Sequence, residues 1–473
     1  MWSLVISSII LLIQFLGAAF HLEIVALLLE AIITLVIYFF YRGKKTKDIP
    51  IVIIICLGLQ NFVIGLGAHA FGNTSSNLAY LTQVTTLIVY LLTFFILLDN
   101  YKFEKLDFLW IILVVMLLMS IVRNFSSSTL IGQINYFRNY TCFFCFFIIG
   151  KKYLSNEKVR DSYIKFLVNF AVLLSFIGLI FNFLPFSFFE SLGLREVYIA
   201  KGASISSGSD FSGRFSTTIF FTSVKRIGSL MYEPINFGYF LLIPLIFSFL
   251  LLLRKKDFIS LLKVIIIGLG FITTYAKGPL LLLLSLFICY ILYFIFKNFK
   301  SFRKNQKVFF VALTFGCTLF ITLFSLYYYN NIGTSTNTHF WAIQRTFINC
   351  LNKPFFGYGL GTGGNYGETG LGTLETGAES GLMSIIYQMG FIFAIIFILI
   401  FIYIAFNIFT DNHKVSFLIS FICVPLIILS IFQENTYTPQ CLGMLMIIEG
   451  SYYHNKLRNC KKANSNFVSK MIY

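Results

Sequence analysis

Six ionisable residues stand where apolar runs of the chain end, and their types suit chemistry on a phosphorylated substrate. Arg226 and Glu233 precede the run that opens at Pro234. Lys277 lies in the turn Tyr275-Ala-Lys277-Gly-Pro279. His339 and Arg345 sit in a polar stretch, and Glu379 comes just before the run that opens at Gly381. Cations of this kind hold a phosphate or pyrophosphate and stabilise it as it leaves. A carboxylate or an imidazole takes the proton from an attacking hydroxyl. Glu379, Glu233 and His339 are therefore candidate catalytic groups. Arg226, Lys277, Arg345 and Arg214 are candidate pyrophosphate contacts. Each has a plainer reading too. Lys225 and Arg226 could anchor a helix at the headgroup layer, and Lys277 could be an exposed turn lysine. His339 could be a surface histidine, and Arg345 could pair with a loop carboxylate. Glu233 and Glu379 could cap helix N-termini.

The elements that must position these groups are membrane helices. Hydrophobic residues make up 58% of the 473 residues, charged residues only 12%, and Phe occurs 58 times. A soluble domain of this length carries about twice that charge. Fourteen apolar runs, from Leu4–Phe20 to Pro439–Tyr453, approach or exceed the roughly 18 residues that cross a bilayer as a helix. Among them are Tyr80–Leu98, Val308–Tyr329 and Gly381–Phe409. The runs are continuous rather than alternating, which excludes a closed barrel. The expected fold is an all-α polytopic membrane protein of about fourteen spans. It divides into membrane helices over 1–184, a first large loop over 185–233, central helices over 234–329, a second large loop over 330–380, and C-terminal helices with a tail over 381–473.

Charge bias orients this arrangement. With a cytoplasmic N-terminus, most of the 36 basic residues fall on the inside, in clusters such as Arg42 to Lys47, Lys151 to Lys165, Lys297 to Lys307 and the C-terminal tail. The positive-inside rule then places both termini in the cytoplasm and both large loops on the opposite face. The net charge of +17 follows from this topology. It reads as topogenic and lipid-facing Lys and Arg, not as a nucleic-acid surface.

Two large loops on one face serve an enzyme at a membrane surface better than a transporter. The first loop has a Gly/Ser-rich centre from Gly202 to Gly213. The second is Gly-rich from Gly357 to Gly377 and contains Gly359-Leu-Gly361-Thr-Gly-Gly364. A dinucleotide reading of that motif needs a βαβ context, which a loop between spans lacks. Flexibility for closing over a lipid-linked substrate is the expectation instead. The five histidines are scattered, so no metal site is expected, nor any other cofactor. Cys142 and Cys145 fall within one run and read as helix packing. Charges inside the runs are few, with Glu30, Lys263 and Glu449 the exceptions.

Three segments resemble the bacterial O-antigen and capsule polymerase and ligase superfamily. Arg226-Ile-Gly-Ser…Glu233-Pro234-Ile-Asn236-Phe-Gly238 resembles the family segment leading from the first large loop into a span. Thr273-Thr-Tyr-Ala-Lys277-Gly278 resembles its Thr-x-Ser-Arg-Gly turn, with Ala276 and Lys277 in place of Ser-Arg. Asn352-Lys-Pro354-Phe-Phe-Gly357-Tyr-Gly359 resembles its Asn-Pro-x-x-Gly-x-Gly element, with Lys353 inserted. Ligases of the superfamily carry a histidine eleven residues before a helix glycine. Counting back from Gly390, this chain has Glu379 there. Polymerases carry an Arg–Gly spacing in both loops, typically enclosing about ten residues. Here Arg226 to Gly238 and Arg345 to Gly357 each enclose eleven.

The resemblance implies a lipid-dependent glycosyltransferase fold in the inner membrane. It also implies polymerisation of undecaprenyl-pyrophosphate-linked oligosaccharide repeat units at the periplasmic face, in the manner of Wzy-type polymerases. The implied partners are that lipid-linked substrate, membrane lipid, a chain-length regulator and a flippase. Two rival expectations stand beside it. One is a ligase moving finished glycan onto lipid A core, and the other is a non-enzymatic flippase of the same lipid-linked unit.

Overall fold

The computed structural model describes residues 2–99, 101–124, 128–201, 215–219, 222–296, 312, 314–316, 318–320, 323, 334–364, 376–377, 380–408 and 414–454. Helices dominate: α1 (Trp2–Ala19), α2 (Glu23–Tyr41), α3 (Asp48–Ala70), α4 (Leu78–Leu81), α5 (Val84–Leu98), α6 (Lys105–Arg123), α7 (Leu130–Tyr153), α8 (Glu157–Asn182), α9 (Phe186–Ser191) and α10 (Leu194–Ala200). A two-stranded antiparallel hairpin follows, β1 (Ser216–Ile219) with β2 (Thr222–Lys225). Then come α11 (Pro234–Lys255), α12 (Phe258–Thr273), α13 (Lys277–Phe296), α14 (Thr334–Asn352), α15 (Gly381–Ile408), α16 (Lys414–Ser430) and α17 (439–454).

Among the described residues, α1, α2, α3, α6, α8, α11 and α15 are long and apolar enough to cross a membrane. α5, α12 and residues Lys277–Leu292 of α13 are apolar but shorter. The helices are patterned for lipid. α1 turns Ser3, Ser7 and Gln14 inward and exposes Leu4, Leu12 and Leu16. α2 buries Glu30 and Thr34 and exposes Leu28, Ile32 and Val36. Water would force the opposite arrangement. Where lipid is the solvent, large side chains face out, and small or polar ones pack between helices.

Local signals account for the ends. Glu104 and Asp107 form a reciprocal capping box at the start of α6. The Thr129 hydroxyl accepts from the Gly132 amide at α7 (3.2 Å), and Asp257 accepts from the Ser260 amide at α12 (2.9 Å). Pro234 takes the first position of α11, where its missing N–H costs nothing. The single run read over Tyr80–Leu98 is divided in the structure. Thr82 and Gln83 separate α4 from α5, and the Thr82 hydroxyl donates to the Ala79 carbonyl (2.8 Å). Gln60 of α3 completes the break, donating to the Thr82 carbonyl (3.2 Å) and accepting from Thr85 (2.5 Å).

The chain folds as two compact units, each assembled from separated segments. The first comprises Met1–Tyr101, Glu157–Leu280 and Thr438–Met444, and the second Lys102–Asn156, Leu281–Tyr437 and Leu445–Tyr473. In the first, α1 packs along α3, and α8 packs against α11 and α12. In the second, α15 packs against α6, α14 and α16. α7 and α17 cross at Gly150 and Gly450, where an added Cβ would meet the Ile447 and Phe147 carbonyls. Lys151 pairs with Glu104 (3.1 Å). Cys142 and Cys145 are buried on α7, consistent with packing.

The stretch 330–380 is not simply a loop. It contains α14, whose polar positions conceal it from a search for apolar runs. Nor does the described part of the Gly-rich segment hang free. Residues 357–364 are tied by hydrogen bonds to α15, so flexibility is the wrong account of those glycines.

Candidate functional site

In the first unit, two of the sequence motifs come together. β2 ends at Lys225, and the chain from Arg226 to Glu233 winds tightly into α11. Lys225 is an anchor. Its ammonium donates to the Phe181 carbonyl (3.2 Å) and the Leu184 carbonyl at the C-terminal end of α8, and it lies 4.8 Å from the Phe189 ring centroid. A cation there complements the negative helix end. The following residues are pinned in turn. The Ile227 amide donates to the Thr273 carbonyl (3.1 Å), Asn61 donates to the Met231 carbonyl (3.0 Å), and Tyr198 donates to the Tyr232 carbonyl (3.1 Å).

Arg226 is held differently. Its Nε donates to the Thr274 carbonyl (3.1 Å), at the end of α12. Among the described residues its two Nη groups donate to no protein acceptor. The side chain is half-buried, and burial pushes the guanidinium below the usual arginine range. A buried cation without a counter-ion is costly, and an incoming anion would offset that cost. Lys277 opens α13 three residues beyond Thr274. Partial burial and then the nearby Arg226 charge hold its ammonium below the usual lysine value. Like charges brought this close repel unless an anion sits with them.

α11 seals the arrangement. Gly238 lets this helix approach the turn between α12 and α13. A Cβ there would lie 3.0 Å from both Ala276 Cβ and Thr274 Oγ1. Glu233 occupies the cap position of α11, yet its side chain makes no capping bond to the backbone, so the capping reading is not met. Oε2 accepts instead from the Asn236 amide, while Asn236 Oδ1 accepts from the Thr438 hydroxyl (3.4 Å). Glu233 Oε1 has no donor among the described residues, and the residue is only half-buried. No ion pair joins Arg226 and Glu233. Arg226 and Lys277 are therefore near enough to feel each other's charge, and Glu233, oriented by an amide, stands at the start of α11.

The second unit holds a different constellation. α15 breaks at Gly390 (φ 81°, ψ 174°), and the segment 354–361 pairs with the gap. The Tyr358 and Gly359 amides donate to the Tyr387 and Gln388 carbonyls (2.8 Å each), and the Phe391 amide donates to the Pro354 carbonyl (2.7 Å). Tyr358 stacks on Tyr387, with ring centroids 4.5 Å apart. The Gly361 amide donates to Gln388 Oε1 (2.7 Å), and Gln388 Nε2 reaches the Ser384 hydroxyl (2.8 Å) and the Gly363 carbonyl (3.1 Å). Nearby, the Tyr136 hydroxyl donates to Glu434 Oε1 (2.6 Å), and both residues are buried. The glycines of Gly359-Leu-Gly361-Thr-Gly-Gly364 thus dock a loop into a broken helix, and none forms a phosphate cradle.

The remaining candidates lie elsewhere in the chain. Arg345 is exposed on α14, its guanidinium 4.3 Å from the Trp341 ring centroid. His339 lies on α14, but its side chain is outside the described residues, as are Arg214 and Glu379 altogether. Asn236, Gln388, Tyr136 and Glu434 were not found from sequence. Gln388, Tyr136 and Glu434 act through partners distant in the chain, whereas Asn236 orients Glu233, three residues before it, and is held by the distant Thr438. Comparison with family models, with curated proteins and with solved structures finds no match for this chain.

Proposed function

We propose that this protein is a Wzy-type polymerase. It joins undecaprenyl-pyrophosphate-linked oligosaccharide repeat units into O-antigen or a related surface polysaccharide at the periplasmic face of the inner membrane. In this reading the fold is a lipid-dependent glycosyltransferase of fourteen spans with both termini in the cytoplasm. A flippase delivers the repeat unit and a chain-length regulator limits the product. The observation that carries the proposal is Arg226. It is a half-buried guanidinium fixed through Nε, with no acceptor for its Nη groups among the described residues, beside a second cation at the end of apolar helices. Lipid-anchored pyrophosphate is an anion delivered at that level of a membrane, and the guanidinium fork matches it.

The reaction requires few parts. The growing glycan on its carrier is the donor, and a sugar hydroxyl of a new lipid-linked unit is the acceptor. The hydroxyl oxygen attacks the anomeric carbon. The bond from that carbon to the pyrophosphate oxygen breaks, and undecaprenyl pyrophosphate leaves with the electron pair. Arg226 and Lys277 neutralise the charge that develops on the leaving group. The open oxygen of Glu233 takes the hydroxyl proton, while Asn236 fixes the carboxylate's orientation.

A deletion strain tests the assignment on one gel. Loss of the gene is expected to leave core plus a single repeat unit and to remove the ladder of longer chains. Polymer accumulating on its lipid carrier would instead indicate a ligase. Single units trapped on the cytoplasmic side would indicate a flippase. A normal ladder would refute the polymerase.

A further inference from the structure

α14 and the residues just after it carry an apolar surface that no described residue covers. Ala342, Thr346 and Cys350 form the buried side of the helix. Trp341, Ile348 and Leu351 recur at helical spacing on another side, and each is more than half exposed, as are Phe355 and Phe356 beyond the helix end. A soluble surface seldom presents so many large apolar groups together.

α15 fixes the level at which this surface lies. From Phe391 to Ile408 the helix rises about 27 Å at ~1.5 Å per residue, close to the roughly 30 Å hydrocarbon core of a bilayer. Phe391–Ile408 is thus long enough to cross the core by itself, which would leave Gly381–Met389 beyond it and put the break at Gly390 at its boundary. α14 is tied to that boundary. Phe347 meets Phe391 edge-on, with centroids 6.3 Å apart, and Pro354 accepts from the Phe391 amide (2.7 Å). Two cations border the apolar surface, each held over an aromatic ring. Arg345 lies 4.3 Å from the Trp341 centroid, and Lys353 Nζ lies 4.5 Å from that of Tyr358. Aromatic rings with adjacent Lys and Arg are the composition of the headgroup layer, where each group meets its own solvent.

We propose that α14 with residues 353–356 is an interfacial element that lies in the headgroup layer of a phospholipid bilayer. Trp341, Ile348, Leu351, Phe355 and Phe356 enter the acyl boundary, and Arg345 and Lys353 meet lipid phosphates. The partner is the bilayer, because the exposed apolar groups sit at the boundary set by α15 and the bordering charges complement phosphate. This inference does not depend on the polymerase reading.

The chain contains three tryptophans, so the emission lost on Trp341→Phe reports Trp341 alone. Trp341 is exposed, and its replacement leaves the packed side of α14 intact. The full chain and the Trp341→Phe variant are placed in phosphatidylcholine nanodiscs containing 5-doxyl lipid, 16-doxyl lipid or neither, and each is also titrated with iodide. The difference signal is expected to be quenched at least about twofold more by 5-doxyl than by 16-doxyl lipid and to be shielded from iodide. Quenching by iodide with no response to either lipid would overturn the proposal and leave the face to water. Shielding from iodide without lipid quenching would overturn it in favour of a protein partner. Stronger quenching by 16-doxyl lipid would also overturn it, by placing α14 in the bilayer core.

Discussion

Arg226→Ala is expected to abolish the polysaccharide ladder while the protein remains in the membrane at its normal level. The guanidinium is fixed by a single bond from Nε to the Thr274 carbonyl (3.1 Å), which orients it without consuming the Nη groups. Loss of one preorganised donor to a developing anion costs about 10²–10³ in rate. In the proposed reaction the same side chain would also offset the charge of the leaving pyrophosphate in a half-buried setting, so the upper part of that range is expected. Arg226→Lys is expected to leave short chains. It keeps the charge but loses the planar fork that grips two oxygens at once. Glu233→Gln should slow chain growth without weakening retention of the lipid-linked donor, because the amide keeps the shape but cannot accept a proton. A ladder unchanged in Arg226→Ala, at equal expression, would mean that this arginine only braces the turn. Loss of the protein from the membrane would point to the same structural role.

Gly390→Ala is expected to destabilise the second unit as a whole. Gly390 adopts φ 81°, which side-chain-bearing residues avoid, and its Cβ would fall 2.2 Å from the Phe355 carbonyl oxygen. The backbone strain costs about 1–3 kcal/mol. Forcing a methyl group against the carbonyl costs a further ~1–3 kcal/mol. Relief requires the segment 354–361 to withdraw from α15, which would leave the Tyr387 and Gln388 carbonyls without their donors. An unsatisfied backbone group in an apolar setting costs several kcal/mol. The measurement is thermal unfolding of the detergent-purified protein, with wild type and Gly268→Ala as references. An added Cβ at Gly268 meets only Leu245 Cδ1, at 4.0 Å. A melting temperature near wild type for Gly390→Ala would show that the broken helix is not a tightly coupled element.

Much of the helical framework was legible because hydropathy acts over short stretches. Leu4–Phe20 and Ile24–Tyr41 coincide with α1 and α2 almost to the residue. Spacing alone does not say that the turns Arg226–Gly238 and Thr273–Gly278 touch, and only the folded chain brings them together. What escaped reading has physical causes. α14 buries Ala342, Thr346 and Cys350 on one side and leaves polar residues on another, so no apolar run announces it. The break in α15 is written as one glycine within a strongly apolar run. Its consequence depends on residues 354–361, which precede that run. Glu434 and Tyr136 lie almost three hundred positions apart, and their hydrogen bond exists only in the folded chain. Glu379 and Arg214 lie outside the described residues, so substitution will decide their roles.

Reconstitution tests the central claim most directly. The purified chain, placed in proteoliposomes with undecaprenyl-pyrophosphate-linked repeat units as the only substrate, is expected to produce a series of two, three and more joined units. One undecaprenyl pyrophosphate should be released for each linkage formed, and Arg226→Ala should stop both. Folded protein that leaves the units single, or only moves them across the bilayer, would contradict the polymerase.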